Sequence, residues 1–562
     1  MTLEGQKPGA TVVPILLSSD RTQVTLFGSK TAYPVYLTIG NIPKDIRRKP
    51  SHRGQILLAY LPTTKLKHVT SHAARRRMLL NLFHSCLQRI LQPLEDAGVE
   101  GIVMADGFGV LRRVHPILAL FIGDYPEQCL VTCVKSGRCP KCNVQPDDLG
   151  NPAMSARRDL NLVRDALSKA DDHHTVYAKA CNLAGIKPAL HPFWKNLPFV
   201  NIFQSITPDV LHQLYQGVFR HSLGWIIKAF SAAEINARYQ RLIPNHHIRI
   251  FSQGITSLSR VTGKEHEQIC RALLGVIMDM HLPNNLEPSR LIRAMRGLLD
   301  FVYLSQLPVH SACTLNRLDN ALHSFHANKS IFIDLGIREH FNFPKLHSCI
   351  HYTSSVRFYG TTDNYNTQHT ERLHIDLAKD AYRATNKKDE LPQMSTWLER
   401  REKIQQHNSY IQWHLSGHTN STLSTAPRSS LVPERRIKIA SHPTTHAVSI
   451  DTLVSDYGAT YFRDAFARYI VGWRNPEFNR PQVERESLNT NIPFVNVSVY
   501  DRVKFINAGD DKIVDALHVQ PRRKTPVRDN PGRFDTALIK IDSTDRSRQI
   551  HGTPAEMSAM SS

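Results

Sequence analysis

The sequence predicts an α/β chain whose strand-rich first part is interrupted by an all-helical insertion and followed by a small β-rich C-terminal module. Three observations predict it. Short apolar runs bounded by turn residues fill the first 65 residues and recur around 110–122. Residues 210–352 carry only long helical periods, and beyond a polar, Pro- and Ser-rich stretch the pattern returns to short strand-like runs.

Taken in order, residues 12–17, 32–42 (AYPVYLTIGNI) and 55–61 (QILLAYL) are three closely spaced strands, as in an antiparallel meander. Residues 65–97 have helical spacing, with Met78, Leu79, Leu82, Leu87, Ile90 and Leu91 on one stripe. Two strands follow at 110–114 and 117–122, and another apolar run at 201–206. Helices are predicted at 211–230, 265–280, 289–304 and 311–325, then at 367–385. The domain reading is a core at 1–209, an insertion at 210–360, a core helix at 361–406, a linker at 407–433, a basic β-rich module at 434–550 and a tail at 551–562.

Composition narrows the function. The chain has 562 residues, more than one hydrophobic core of about 250–300 residues accommodates. Lys plus Arg total 70 against 49 Asp plus Glu, a formal charge of +21, so the partner is a polyanion, nucleic acid or anionic lipid. With 41% hydrophobic and 21% charged residues, global disorder is excluded. The apolar run at 114–123 is too short for a membrane span of about 20 residues, and residues 1–10 lack the apolar core of a secretory signal. Nine cysteines without such a signal point to reduced thiols and a metal site.

Three carboxylates stand where chemistry can use them. Asp20 ends the first strand, Asp124 ends the strand at 117–122, and Glu371 lies on the helix after the insertion. If the two strands are neighbours, both aspartates emerge side by side, and a helix packed there brings Glu371 opposite, a set of oxygen ligands for two divalent cations. Each acid alone reads as a turn residue or a solvated face. Cys139-Pro-Lys-Cys142 is a C-x2-C pair, and His347 and His351 stand four apart, on one face of a helix. Together they form a Cys2His2 set suited to structural zinc, tying the start of the insertion to its end; apart, they are unrelated features of a His-rich chain. Cys129 and Cys133 compete as a C-x3-C pair but have the apolar neighbours of core thiols. Asp209 reads as a helix N-cap, with His212 three residues on.

The segments SSDRTQVTLFGSKTAYPVYLTIGNIPKDIRRKPS (18–51), GDYPEQ (123–128), GRCPKCNVQPDDLG (137–150), TPDVLHQLYQGVFRH (207–221), FPKLHSCIHY (343–352) and NYNTQHTERLHIDLAKDAYRATN (364–386) together resemble a Plavaka-type transposase of the fungal, CACTA-related DNA transposons. The resemblance covers about 12–386 densely and the C-terminal module loosely. It implies a ribonuclease-H-like core with an Asp-Asp-Glu triad and a helical insertion before the Glu. Carried onto this sequence, the triad is Asp20, Asp124 and Glu371, with Asp209 and His212 as an auxiliary D-x2-H motif and Asp106 a weaker competitor for the second acid. The layout is also similar to the V(D)J recombinase, which implies zinc on Cys139, Cys142, His347 and His351.

The activity so implied is cut-and-paste DNA cleavage and strand transfer with two Mg²⁺ (or Mn²⁺) ions, on transposon ends and target DNA, in the nucleus, without a membrane and with a homodimer expected. Basic runs at 47–49, 75–77 and 522–524 would contact phosphate. Members of the family usually carry a long N-terminal DNA-binding region, yet 19 residues precede Asp20, so the functional enzyme is expected to be longer. The competing readings are a catalytically inactive, transposon-derived DNA-binding protein and a nuclease without strand transfer.

Overall fold

Alternating side chains along the first strand decide the core. In the computed structural model, β1 (Thr11–Ser19) turns Ile15 and Leu17 to one face of a sheet and Leu16 to the other. β2 (Pro34–Ile39) pairs antiparallel with β1, and β3 (Ile56–Tyr60) pairs antiparallel with β2. After α1 (His72–Leu91) the chain makes a hairpin of β4 (Ile102–Ala105) and β5 (Leu111–Ile122), and β5 lies parallel to β1. The order across this mixed five-stranded sheet is β3-β2-β1-β5-β4. Both faces are covered: α1 puts Leu80, Phe83, Leu87 and Leu91 on the Leu17 face, and Tyr365 packs with Leu16, Leu120 and Ile122 on the other.

The structure describes residues 7, 10–25, 30–105, 110–243, 248–259, 261–283, 286–415, 435–440, 442–492, 494–507, 513–520, 523–525, 528–530 and 533–534. Asp106, the tail at 551–562 and residues 416–433 of the expected linker lie outside them.

Several sequence expectations change. The strands expected at 110–114 and 117–122 are one, because Pro116 falls between the β4 ladder, which ends at Val114, and a parallel bridge from Phe121 to Ile206. The proline therefore interrupts no ladder on that edge. The run at 201–206 is a series of turns, attached to the sheet by that bridge and by the Phe121 amide donating to the Ser205 carbonyl at 2.7 Å. Residues 407–415, given by composition to the linker, continue the helix Glu390–Leu415.

The insertion is helical, as its periods indicate, but opens with a π-helix, Val210–Phe219, before the α-helix Arg220–Phe230. Its long helices are Gly263–Ile277, Pro288–Leu304 and Ala312–Asn328. The last two approach so closely that a Cβ on Gly297 would stand 2.8 Å from the Phe325 amide nitrogen. Helix Gly263–Ile277 starts at a capping box between Thr262 and Glu265.

The chain divides into two compact units, 1–239 with 253–424 and 240–252 with 425–562. Within the second, strands Asn496–Val499 and Thr445–Ser449 pair, and Arg502–Asn507 pairs with both Ile513–Gln520 and Arg435–Ile439. Helices Ile450–Tyr457, Phe462–Arg474 and Arg480–Ser487 stand between these strands, so this segment is mixed rather than purely β. Among the described residues no helix is long and apolar enough to cross a membrane.

One core group links this packing to pH. His84 is 1% exposed, with Nε2 near the Leu130 carbonyl at 3.1 Å and the Phe193 amide donating to Nδ1 at 3.4 Å. Burial lowers its pKa to about 4, against the pull of the Leu130 carbonyl. A folded pKa below the unfolded value of about 6.5 means that its contribution is complete above 6.5 and is lost as pH falls toward 4. Urea unfolding of the wild type should therefore lose about 3 kcal/mol across that interval from this group alone, and His84→Gln should flatten the dependence by a similar amount.

Candidate active site and metal centre

Because β1 and β5 are parallel neighbours with Ser18 opposite Ile122, Asp20 and Asp124 leave the sheet in equivalent positions, two residues further along each strand. Asp124 also caps α2 (Tyr125–Val131), accepting the Glu127 amide at 2.9 Å. Glu371 lies on α3 (Thr367–His374), which starts two residues after Tyr365, the ring packed on the Leu16 face of the sheet. The three acids share one electrostatic environment. Asp20 has its pKa pushed up to about 7 by burial and by the charges of Asp124 and Glu371, against His212 and the Arg21 amide.

The D-x2-H motif is what holds Glu371 there. His212 donates from Nε2 to Glu371 Oε1 at 3.0 Å and from Nδ1 to Asp209 Oδ2 at 2.8 Å. Burial works against the imidazolium, but its bonds to the two carboxylates win and raise its pKa to about 10. Asp209, 1% exposed, caps the π-helix through the His212 amide at 2.6 Å. Its other oxygen accepts the Thr367 amide at 3.1 Å and the Thr367 hydroxyl at 2.8 Å, at the first turn of α3. Burial alone would raise the Asp209 pKa, yet these donors hold it below the ordinary value. One buried carboxylate thus joins the start of the insertion to the helix bearing Glu371. Asp209→Ala would take the buried carboxylate partner from His212 Nδ1 and from the Thr367 amide and should cost about 3–5 kcal/mol in urea unfolding, with Asp209→Asn costing less.

Further groups escaped the sequence reading. Glu127 is buried beneath the aspartates, where it accepts the Ser19 hydroxyl and, at 2.7 Å, the Tyr33 hydroxyl. Burial pushes its pKa up to about 8 despite those two bonds. The Gly123 position admits no side chain, because a Cβ there would stand 2.8 Å from Glu127 Cγ. Lys345 brings positive charge toward Asp124 and Asp209, its pKa lowered by burial against their pull. The signal for Glu127 was its place three residues after Asp124 in GDYPEQ; Thr367 and Lys345 lie in quoted motifs without a local sign of role.

The Cys2His2 residues come together as expected. Cys139, Cys142, His347 and His351 are all buried and bring one ligand atom each within 4.8 Å of one another, the one such set of three or more among the described residues. The acids are more loosely grouped. Cys139 Sγ lies 3.3 Å from His351 Nε2, and Cys142 Sγ lies 3.1 Å from His347 Nε2. On a tetrahedral zinc with Zn–S of about 2.3 Å and Zn–N of about 2.0–2.1 Å, such atoms stand about 3.5 Å apart, so this cluster could hold a structural metal such as zinc. The histidines do not share a regular helix: His347 ends the turn Pro344–His347 and His351 ends the 3-10 turn Ser348–His351. A hydrogen bond from the Cys139 thiol, and then the two imidazoles, holds Cys142 as a thiolate, while burial pushes Cys139 up. Outside the donor set, Arg158 Nε donates to the Cys139 carbonyl at 2.8 Å. Cys129 and Cys133 are buried core thiols.

The first basic run is partly structural. Arg47 is 7% exposed and donates to Asn364 Oδ1 at 2.6 Å, and Arg48 pairs with Asp45 at 2.9 Å. Arg522 lies outside the described residues.

The fold and the site define a mixed α/β protein with an acid cluster at the ends of adjacent parallel strands and a Cys2His2 centre clamping a helical insertion. Residues 1–226 match the family model of the Plavaka transposase, a family of DNA-cutting and strand-transferring enzymes. This is the resemblance carried by the motifs, now shown over the segment that holds Asp20, Asp124, Cys139, Cys142, Asp209 and His212. No curated protein matches the chain.

Proposed function

We propose that the chain is a transposase catalytic core of ribonuclease-H-like fold, in which Asp20, Asp124 and Glu371 hold two Mg²⁺ (or Mn²⁺) ions for DNA cleavage and strand transfer. The observation that carries this reading is the convergence on Asp20 of Asp124 and Glu371, on a sheet whose order β3-β2-β1-β5 places the aspartates on adjacent parallel strands. The donor set fits: the three carboxylates concentrate negative charge that His212 offsets only in part, and hard divalent cations take oxygen ligands. When bound, the ions would supply the charge that activates the attacking oxygen and neutralises the leaving one.

The chain's own residues set the geometry. His212 engages Oε1 of Glu371, which leaves Oε2 for a cation, and Asp209 fixes the imidazolium from behind. Asp124 is oriented by the Glu127 amide, and Glu127 braces the end of β1 through Ser19. In the first step water attacks the scissile phosphorus and the 3'-oxygen leaves as a hydroxyl. In the second that hydroxyl attacks a target phosphodiester, a target 3'-oxygen leaves, and no covalent protein intermediate forms. The Cys2His2 set would carry structural zinc, and a chromosomal substrate implies the nucleus.

The purified chain, with duplex carrying the element end and a target duplex, should give Mg²⁺-dependent nicks and joined products. Nicks without joining indicate a nuclease. DNA binding that weakens with salt, with neither product, indicates the DNA-binding derivative and overturns the enzymatic reading.

A further inference from the structure

Beside the zinc-type cluster lies a cleft, open to solvent, with no carboxylate among its lining residues. Its walls are the chain around Arg157, the turn at 203–204 and the helix Tyr352–Tyr359. Arg157 presents an exposed guanidinium there, while Lys141 is held by the Ile206 carbonyl and Arg158 by the Cys139 carbonyl. Phe358 is 63% exposed, and the Arg157 guanidinium lies over its ring, 5.1 Å from the centroid. Tyr359 fixes one rim by donating to the Gln204 carbonyl at 3.0 Å. Ser355, 2% exposed, is among the lining residues, and its hydroxyl, itself shut off from solvent, has no hydrogen-bond partner in the structure. An unsatisfied buried hydroxyl is costly unless a ligand or water completes it.

An exposed aromatic ring with a guanidinium over it, in a cleft whose charged lining residues are all basic, matches a nucleotide: base on ring, phosphate on the exposed guanidinium. Both faces of a base inside a duplex are already covered by its neighbours, so only an unpaired nucleotide can lay a face on Phe358. The turn at 203–206 is bonded to β5, the strand that leads to Asp124.

We propose that this cleft receives an unpaired nucleotide of the DNA strand that is cut, its base stacked on Phe358 and its phosphate on Arg157. The proposal rests on the DNA-processing reading and adds a site for single-stranded DNA distinct from the acids. The test measures affinity at low salt for a fluorescent oligothymidine and for a blunt duplex, using wild type, Phe358→Ala and Arg157→Ala, with zinc content and melting temperature checking that each variant is folded. Both exposed positions tolerate truncation. Each variant should bind oligothymidine about tenfold more weakly, the size of a lost base–aromatic stack, with a smaller loss on duplex. Unchanged oligothymidine affinity in both variants overturns the proposal, as does an equal loss on the two probes, which would mark ordinary phosphate contacts. If the wild type nicks element-end duplex with Mg²⁺ while the variants keep their oligothymidine affinity, the cleft assignment alone fails. If the wild type neither binds nor nicks DNA, the enzymatic reading fails and takes the cleft with it.

Discussion

Asp20→Asn, Asp124→Asn and Glu371→Gln should each reduce Mg²⁺-dependent nicking and joining by about 10³-fold or more while leaving the fold and DNA binding in place. The magnitude follows from the role assigned to the acids. A metal ion at a phosphoryl centre supplies several kcal/mol of transition-state stabilisation, and each ~1.4 kcal/mol is a factor of ten in rate. The amide replacements keep shape and remove charge, and removing charge from the cluster relieves the repulsion that raises the Asp20 pKa. Melting temperatures should therefore hold or rise as activity is lost. A variant that loses activity and stability together would instead indicate a structural role. Glu371→Gln has an additional consequence, since it weakens the His212 bond, so its melting temperature should fall relative to Asp20→Asn.

The second large effect concerns the Cys2His2 cluster. Cys142 and His347 are 205 positions apart, so a metal joining them closes a very long loop. A cross-link over that span removes about 5 kcal/mol of unfolded-chain entropy in the loop-closure picture. Purified protein should contain one zinc per chain. Cys139→Ser with Cys142→Ser, or a strong chelator, should remove it and lower the melting temperature on the order of 10 °C. The insertion should then become sensitive to proteolysis, since it loses the clamp at both its ends. Zinc that survives the double substitution would place the metal elsewhere, and wild type free of zinc would reduce the cluster to buried side chains. The measurement is metal analysis paired with thermal unfolding.

The aspartates were legible because their positions follow from a simple rule: acids at the ends of two strands meet if the strands are parallel neighbours. The register of Ser18 with Ile122 meets that condition. The insertion was legible from its helical periods, and the Cys2His2 set from its spacings. What was not legible depends on partners distant in sequence. Nothing local shows that Asp209 holds both His212 and Thr367, or that Glu127 lies buried under Asp20. The run Arg47-Arg48 reads as a phosphate contact until Asn364, Asp45 and Asp363 are found around it. The runs at 110–114 and 117–122 read as two strands, and the missing ladder beside Pro116 explains why the strand continues between them. The C-terminal segment reads as β-rich from its short strand-like runs, whereas its helices Ile450–Tyr457 and Phe462–Arg474 are short and show their buried residues, Leu453, Phe462 and Val471 among them, only once folded, and Arg480–Ser487 buries none.

The central claim is that Asp20, Asp124 and Glu371 jointly bind a divalent cation. Replacing Mg²⁺ by Fe²⁺ and generating hydroxyl radicals at the bound ion tests it most directly, because the radicals cut the polypeptide next to the metal. Cleavage at the backbone around positions 20, 124 and 371, suppressed by added Mg²⁺ and abolished in Asp20→Asn, is the predicted result. Cuts at other positions, or cuts near one acid that are insensitive to Mg²⁺ and to the substitution, would contradict it.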